Sequence, residues 1–344
     1  MSLERLIEMA KYAVLLIVLV SVVSSAYGQK GTHQLKVVFY NVENLFDTLD
    51  DKHKNDNEFL PGSEKMWNTE KYLHKLQNLG KVLCAIEPDD PPAIIGFAEV
   101  ENRQVLEDLV RLSCLSTVPY QVILEEGPDP RGIDVALIFR PDQLEYLSHQ
   151  VFSASREFRT RDILYVKLLG PAGDTLHLFV NHWKSRAGGE QQTRPKRIEN
   201  ATLLRQVVDS LLATPYHPRI LIMGDLNDEP GDESIALALE ALPVAKKPAE
   251  EELYNLFYIP WAEGQGTLWY RNWDLFDQII VSGNLLAGKR KNRPVILDPY
   301  GYIFREEWML ERSGKGKAIP LRTYKRDYQG GFSDHLPVYT ILSY

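Results

Sequence analysis

The chain has 344 residues, of which 44% are hydrophobic and 25% charged, ordinary proportions for one large α/β domain or two small ones. A net charge of -8 excludes a protein that coats nucleic acid indiscriminately, but not an enzyme that acts on it. The charge is uneven: residues 288–326 hold 11 Lys or Arg against 4 Asp or Glu, a basic segment that suits either an anionic ligand or a solvated loop.

At the start, Arg5 and Lys11 precede an apolar run from Tyr12 to Val23, and Ala26-Tyr27-Gly28 follows in the small-x-small form of a cleavage site. The run is shorter than the roughly 20 residues that a bilayer span takes. Residues 1–28 therefore read as an export signal and 29–344 as the mature domain, with an uncleaved anchor as the alternative. The expected location is secreted or periplasmic, with no membrane contact after cleavage.

Residues 33–46 read as a strand with a polar end, and 47–58 as an acidic loop. Over 69–86, Tyr72, Leu76, Leu79, Val82, Leu83 and Ile86 recur at helical spacing. A short buried strand at 93–97 and a helix around Val105, Leu106, Leu109 and Val110 follow. Strand-like runs occupy 120–124, 135–139, 163–169 and 176–180 with no helix between them, which predicts antiparallel pairs in a mixed sheet. A third helix is expected over 196–212, with Leu204 and Val208 inward. The apolar run Ile220 to Met223 is the pattern of a buried strand. A short helix at 234–239, a charged connector at 246–252, and strands at 275–281 and 336–342 complete the pass. Long helices mixed with many strands indicate an α/β or α+β fold, and no linker divides the mature chain. Cys84 and Cys114 lack metal-ligand spacing. Cys84 lies on an apolar helical face, so a buried free thiol is expected there, although export would permit a disulfide.

One event recurs along the chain: an apolar strand ends in polar residues. Asn41 and Glu43 follow Tyr40, and Glu99, Glu101 and Asn102 follow Phe97. Asn181, His182, Lys184 and Arg186 follow Val180, and Asp225 and Asn227 follow Met223. Asp277 interrupts an apolar run, where a carboxylate costs folding energy unless it is paired. Ser333-Asp334-His335 precedes the last strand. One such cluster is an ordinary turn or cap; six in one chain point to a site. Carboxylates with amides suit a hard cation such as Mg2+. No phosphate-binding G-x-x-x-x-G-K loop and no G-x-S-x-G elbow is present, which disfavours nucleoside-triphosphate binding and serine hydrolysis.

With these segments in order, the chain resembles the endonuclease/exonuclease/phosphatase superfamily, the fold of pancreatic deoxyribonuclease. Gly224-Asp225-Leu226-Asn227 and Ser333-Asp334-His335-Leu336-Pro337-Val338 carry most of the resemblance. Asn41-Val42-Glu43, Glu99 with its following Val100-Glu101-Asn102, and Asp277 add to it. It implies a four-layer α/β/β/α sandwich of two mixed β-sheets with outer helices, and a site at the strand ends along one edge. Under the resemblance, Glu99 is the main metal ligand, with Glu43 and Asp334 as further metal-side carboxylates. Asp225 orients or deprotonates water, and Asn227 and Asn41 position phosphate. His335 faces the phosphoryl oxygens with Asp277 behind it, and His182 is the second histidine, with Asp134 as its suggested partner. Arg161, Asn181, Lys184 and Arg186 are candidates for contact with substrate. The implied activity is phosphodiester hydrolysis with Mg2+, or Mn2+ or Ca2+ in its place. The first-choice substrate is DNA or RNA, with Lys315, Lys317, Arg322, Lys325, Arg326, Tyr324 and Tyr328 gripping phosphates and stacking bases. Phospholipid or inositol phosphate is the alternative, and a catalytically inactive binding protein a third reading. No stable protein partner is implied, and the expected state is a monomer.

Overall fold

A computed structural model describes residues 33–154, 161–287, 293–314 and 316–344. The expected export signal, together with Lys315 of the basic segment, lies outside the described residues. Residues Gln34–Tyr344 form one compact unit.

In chain order the main elements are β1 (Gln34–Leu45), α1 (Thr69–Ile86), β2 (Ile94–Val100), α2 (Arg103–Leu112), β3 (Gln121–Leu124), β4 (Asp134–Phe139) and β5 (Glu145–Phe152). They continue as β6 (Ile163–Leu169), β7 (Thr175–His182), α3 (Glu190–Leu212), β8 (Arg219–Asp225), β9 (Ala241–Pro243), β10 (Leu253–Asn255) and α4 (Tyr258–Ala262). After two short pairing segments, β11 (Leu268–Trp269) and β12 (Trp273–Asp274), come β13 (Asp277–Ser282), β14 (Val295–Ile296), β15 (Tyr302–Ile303), β16 (Leu310–Arg312), β17 (Ala318–Pro320) and β18 (Val338–Ser343).

Two seven-stranded sheets result. The first runs β14-β18-β1-β2-β4-β3, with β15 also on β18; the second runs β5-β6-β7-β8-β13-β10-β9. Both are mixed: β1 is parallel to β2 and antiparallel to β18, and β8 is parallel to β7 and antiparallel to β13. The side-chain period of two explains the layers. On β1, Val37 and Phe39 face the second sheet, while Val38 and Tyr40 face α1 and α2. On β8, Leu221 and Met223 face the first sheet, while Ile220 and Ile222 face α3. Central strands buried on both faces read as continuous apolar runs. Each buried Val, Ile or Leu stabilises the sandwich by roughly 1.5–3 kcal/mol. The four-layer expectation holds.

Helix α1 begins where expected because the side chain of Asn68 accepts a hydrogen bond from the Lys71 N–H, 3.0 Å. Three features differ from the sequence expectation. Helix α3 starts at Glu190, not at 196, and carries Pro195 inside it. The buried Arg197 guanidinium secures that first stretch by donating to the carbonyls of Glu190 and Lys184 and to the Thr193 hydroxyl. Strand β5 had no sequence signal, since its residues are mostly exposed and carry no apolar face. Lastly, Cys84 is not a free thiol. It forms a disulfide with Cys114, which ties α1 to the turn after α2. Among the described residues no helix is long and apolar enough to cross a membrane.

Candidate active site

Sheet register builds the site. β7, β8 and β13 are neighbours, and their pairing sets His182 beside Asp225 and Asp225 opposite Asp277. Three residues far apart in sequence thus form one row across the end of the second sheet. On the first sheet the ends of β1 and β2 are irregular. Asn41 pairs with Ala98 and Leu45 with Val100, so the chain bulges between them. A bulge re-aims side chains that regular pairing would turn away. Glu99 is the unpaired residue of the β2 bulge, with φ 65°, and Glu43 and Asn44 stand at φ 51° and 56°. Asn227, just past β8, is also left-handed at φ 51°.

The two sheet ends meet through hydrogen bonds. The Asn41 amide donates to Asp225 Oδ2 at 3.0 Å and to Glu99 Oε1 at 3.4 Å. The backbone N–H of Asn44 donates to Glu99 Oε2, 2.9 Å. The Asn227 N–H donates to Asp225 Oδ1, 3.1 Å, and its amide to the Trp183 carbonyl. His182 Nε2 lies 3.5 Å from Asp225 Oδ2 and 3.9 Å from Glu99 Oε1. His335 Nδ1 is 2.7 Å from Asp277 Oδ2, which leaves Nε2 pointing into the cleft, 3.8 Å from Asp225 Oδ2. Ser333 locks that turn in place: its hydroxyl donates to the Asn41 carbonyl and accepts from the His335 N–H. The Asp277 N–H donates to the Thr267 hydroxyl.

Burial shapes the charges. Desolvation pushes the Asp225 carboxyl up to about 7, with help from Asp277 and Glu99 and against His335 and Asn41. His335 is held well above the usual histidine range; burial opposes its charge, but Asp277 and Asp225 outweigh it. His182 is pushed well below that range by burial and by Arg161 and Arg131, so it stays neutral. At neutral pH the cleft therefore holds an imidazolium, a neutral imidazole and a carboxylate poised to exchange a proton.

Glu99 suits a divalent cation. Each of its oxygens accepts one N–H, which leaves lone pairs on the cleft side, and its side chain is 17% exposed among buried neighbours. Atoms of Asp225, Asp277 and His335 also lie within 4.8 Å of one another. The Nδ1 contact to Asp277, however, makes that trio a backed histidine rather than an open cage.

The remaining candidates are spread around this centre. Glu43 and Asp334 are both held by Arg322, whose Nε and Nη2 donate to Glu43 Oε1 and Asp334 Oδ2, each at 2.8 Å. Arg161 is buried and donates to Asp129 and the Trp183 carbonyl, beneath the cleft wall. Asn181 is fully buried between the Met223 carbonyl and the Trp183 indole N–H. Arg186 donates to the Asn227 carbonyl and to Asp228 and Asp232. Lys184 stands half-buried at the edge. Asp134 does not pair with His182. One oxygen accepts from the Gly127 N–H, and among the described residues neither the other oxygen nor His182 Nδ1 has a hydrogen-bond partner. In the basic segment, Lys325 pairs with Glu311 and the Tyr324 hydroxyl donates to the Lys65 carbonyl. Sequence reasoning missed Asn44 and Thr267 as site-building residues, and it set Arg322 on a substrate phosphate instead of on Glu43 and Asp334. They act through a backbone N–H, a lone hydroxyl and a partner 279 positions away, none of which leaves a linear signal.

A sandwich with this edge belongs to the class of hydrolases that act on phosphoesters. The profile of the Endonuclease/Exonuclease/phosphatase family matches residues 36–344, and the chain belongs to that family. Enzymes of this fold depend on a divalent metal. No curated protein sequence matches the chain. Solved structures with the same fold include a mannosyl-6-phosphatase from Bacteroides thetaiotaomicron, 15% identical, with TM-score 0.56 over 90% of this chain and 100% of that one. The human Nocturnin catalytic domain with bound sulfate is 18% identical, with TM-score 0.54 over 90% and 94% of the two chains. D. rerio TDP2 complexed with a single strand DNA product is 16% identical, with TM-score 0.54 over 90% and 98%.

Proposed function

We propose that this protein is a metal-dependent phosphodiesterase that cuts nucleic-acid strands outside the cytoplasm. The observation that carries the chemistry is the row His182–Asp225–Asp277 facing Asn41 and Glu99, closed by His335. A divalent ion held by Glu99, Mg2+ or in its place Mn2+ or Ca2+, would supply Lewis-acid polarisation of a phosphoryl oxygen. Asp225 takes the proton of the attacking water, for which a carboxyl near 7 is well matched. Asn41 and the Asn227 N–H fix the two Asp225 oxygens, so the water is aimed at phosphorus opposite the leaving oxygen. His335, protonated and backed by Asp277, donates from Nε2 to a nonbridging oxygen as charge grows there. Neutral His182 offers a second donor.

A cavity of about 290 Å³ beside Glu43 supports the choice of a nucleic acid. Phe59, Tyr324, Lys65, Arg322 and Lys325 line it, and such a mixture suits the base and phosphate of a neighbouring nucleotide. The Cys84–Cys114 disulfide supports export, because such bonds persist in oxidising compartments. So does the signal-like start. We expect a monomer with no stable protein partner. A second reading, a phosphatase for inositol or sugar phosphates or phospholipid, draws on the ion pairs that Lys65, Arg322 and Lys325 already make. Those pairs weaken a basic track for a long strand.

The test is turnover of plasmid DNA, an RNA oligonucleotide, a phospholipid and an inositol phosphate side by side, with Mg2+ and with EDTA. Metal-dependent cleavage of a nucleic acid is expected. Turnover of only a phosphomonoester or a lipid would overturn the substrate reading, and turnover undiminished by EDTA would overturn the metal.

A further inference from the structure

We infer that Arg322 is a built-in cation that occupies the carboxylate pair Glu43–Asp334 and so keeps a divalent ion out of it. The two carboxylates come from opposite ends of the chain, at the end of β1 and just before β18, yet one guanidinium bridges them. Glu43 already carries a cation: Oε1 accepts from Arg322 Nε, and Oε2 from the Thr323 N–H at 2.7 Å, whereas both donors on Glu99 are neutral. Beneath it the buried Lys75 ammonium donates to the Glu43 carbonyl and the Phe332 carbonyl, which fixes the backbone that carries the carboxylate. Burial, and after it the neighbouring Asp334, pushes the Glu43 carboxyl upward, as two like charges in one small volume must. Such a pair, largely removed from water, must be neutralised by something.

Two solutions exist, an exchangeable ion or a tethered one. This chain uses the tethered one. A guanidinium keeps its charge at any ordinary pH and presents a planar fork that meets two carboxylates at once. It cannot be stripped by a chelator. Arg322 also lies within electrostatic reach of Glu99, so it is a positioning residue on the flank of the cleft. It holds two carboxylates still and sets the local charge against which the Glu99 ion binds. The Glu99 ion itself rests on the function proposed above; the role of Arg322 does not.

The experiment counts ions. The full chain, stripped with EDTA and dialysed, is titrated with Mn2+ by calorimetry and by electron paramagnetic resonance of free Mn2+. Arg322→Met keeps the apolar stem and removes the charge. It is expected to bind one more Mn2+ per chain than the unaltered protein, and adding Asp334→Asn should remove that gain. Arg322→Lys, which restores a fixed cation, should show no gain. Equal counts in the unaltered protein and Arg322→Met would overturn the inference. Should Arg322→Met fail to fold, Arg322→Gln is the second variant: the same gain of one Mn2+ is expected, and an equal count would overturn the inference. A count of zero in the unaltered protein would sink the Glu99 ion, while the difference between the two proteins would still judge Arg322.

Discussion

The two flanks of the cleft are built from the same side-chain types and finish in opposite electrostatic states. On the second-sheet flank, Asp277 Oδ1 and His182 Nδ1 are buried without a hydrogen-bond partner among the described residues, and Asp225 carries a proton up to about 7. On the first-sheet flank, both Glu43 oxygens are satisfied and Asp334 is tied to Arg322. A buried carboxylate therefore does not announce its role by its identity or its depth. The role depends on whether a permanent cation stands beside it. Around Asp225 the partners are few, around Glu43 a tethered cation saturates them, and Glu99 on the same sheet as Glu43 meets only neutral donors.

Substitutions test that division most directly. Asp225→Asn is expected to lower kcat by about 10²–10⁴-fold, the range for a lost general base, with little change in melting temperature. A near-normal kcat would erase the contrast between the flanks. Reducing the Cys84–Cys114 bond should act on the other side, because Cys84 lies on α1, the helix that carries Lys75 beneath Glu43. For a separation of 30 residues, a loss of roughly 3–4 kcal/mol of stability is expected in denaturant titrations with and without reductant. Glu43→Gln should cost about 2 kcal/mol of stability, less than a fully buried pair because Arg322 is 40% exposed and keeps Asp334, yet change kcat far less than Asp225→Asn does. If kcat falls as steeply in both, Glu43 is chemical rather than structural.

A pH profile sharpens the second flank. The rate needs Asp225 ionised and His335 protonated. It should climb about tenfold per unit below the Asp225 value near 7, then fall only once the pH passes the raised His335 value. The rising limb should vanish in Asp225→Asn. The smallest expected effect is that of Asn181→Ala. Because Asn181 is fully buried and bonded to Met223 and Trp183, it should cost about 1–3 kcal/mol of stability and leave KM unchanged. A raised KM would return it to the substrate contacts.

Much of this could be read from the chain. Apolar runs that stop at Asn41, Glu99, His182 and Asp225 mark strands whose ends must converge, and they do. Helix positions followed period 3.6, and the central strands read as unbroken apolar runs because both faces of each sheet are covered. What failed had no local signature. Strand β5 is exposed and lacks an apolar face. Cys84 and Cys114 are brought together only when α1 packs beside α2. Asn181, Arg161 and Arg186, read as candidates for substrate contact, also hydrogen-bond backbone carbonyls and buried carboxylates, contacts that no spacing shows. Asp134 looked free for His182, and register turned it toward Gly127. The Arg322 bridge depends on a loop closing over β1, which no spacing rule anticipates.

The left-handed backbone at Glu43, Asn44, Glu99 and Asn227 has a consequence for heat tolerance. Such a backbone costs a glutamate roughly 1–2 kcal/mol and an asparagine less. Asn44 contributes its N–H to Glu99, which glycine would also supply. Selection for survival at high temperature alone should therefore favour Asn44→Gly, giving a hardier molecule whose metal carboxylate is more loosely aimed. Ruggedness and speed would then separate within a single residue, and thermally hardened variants of this enzyme should be screened for turnover before they are kept.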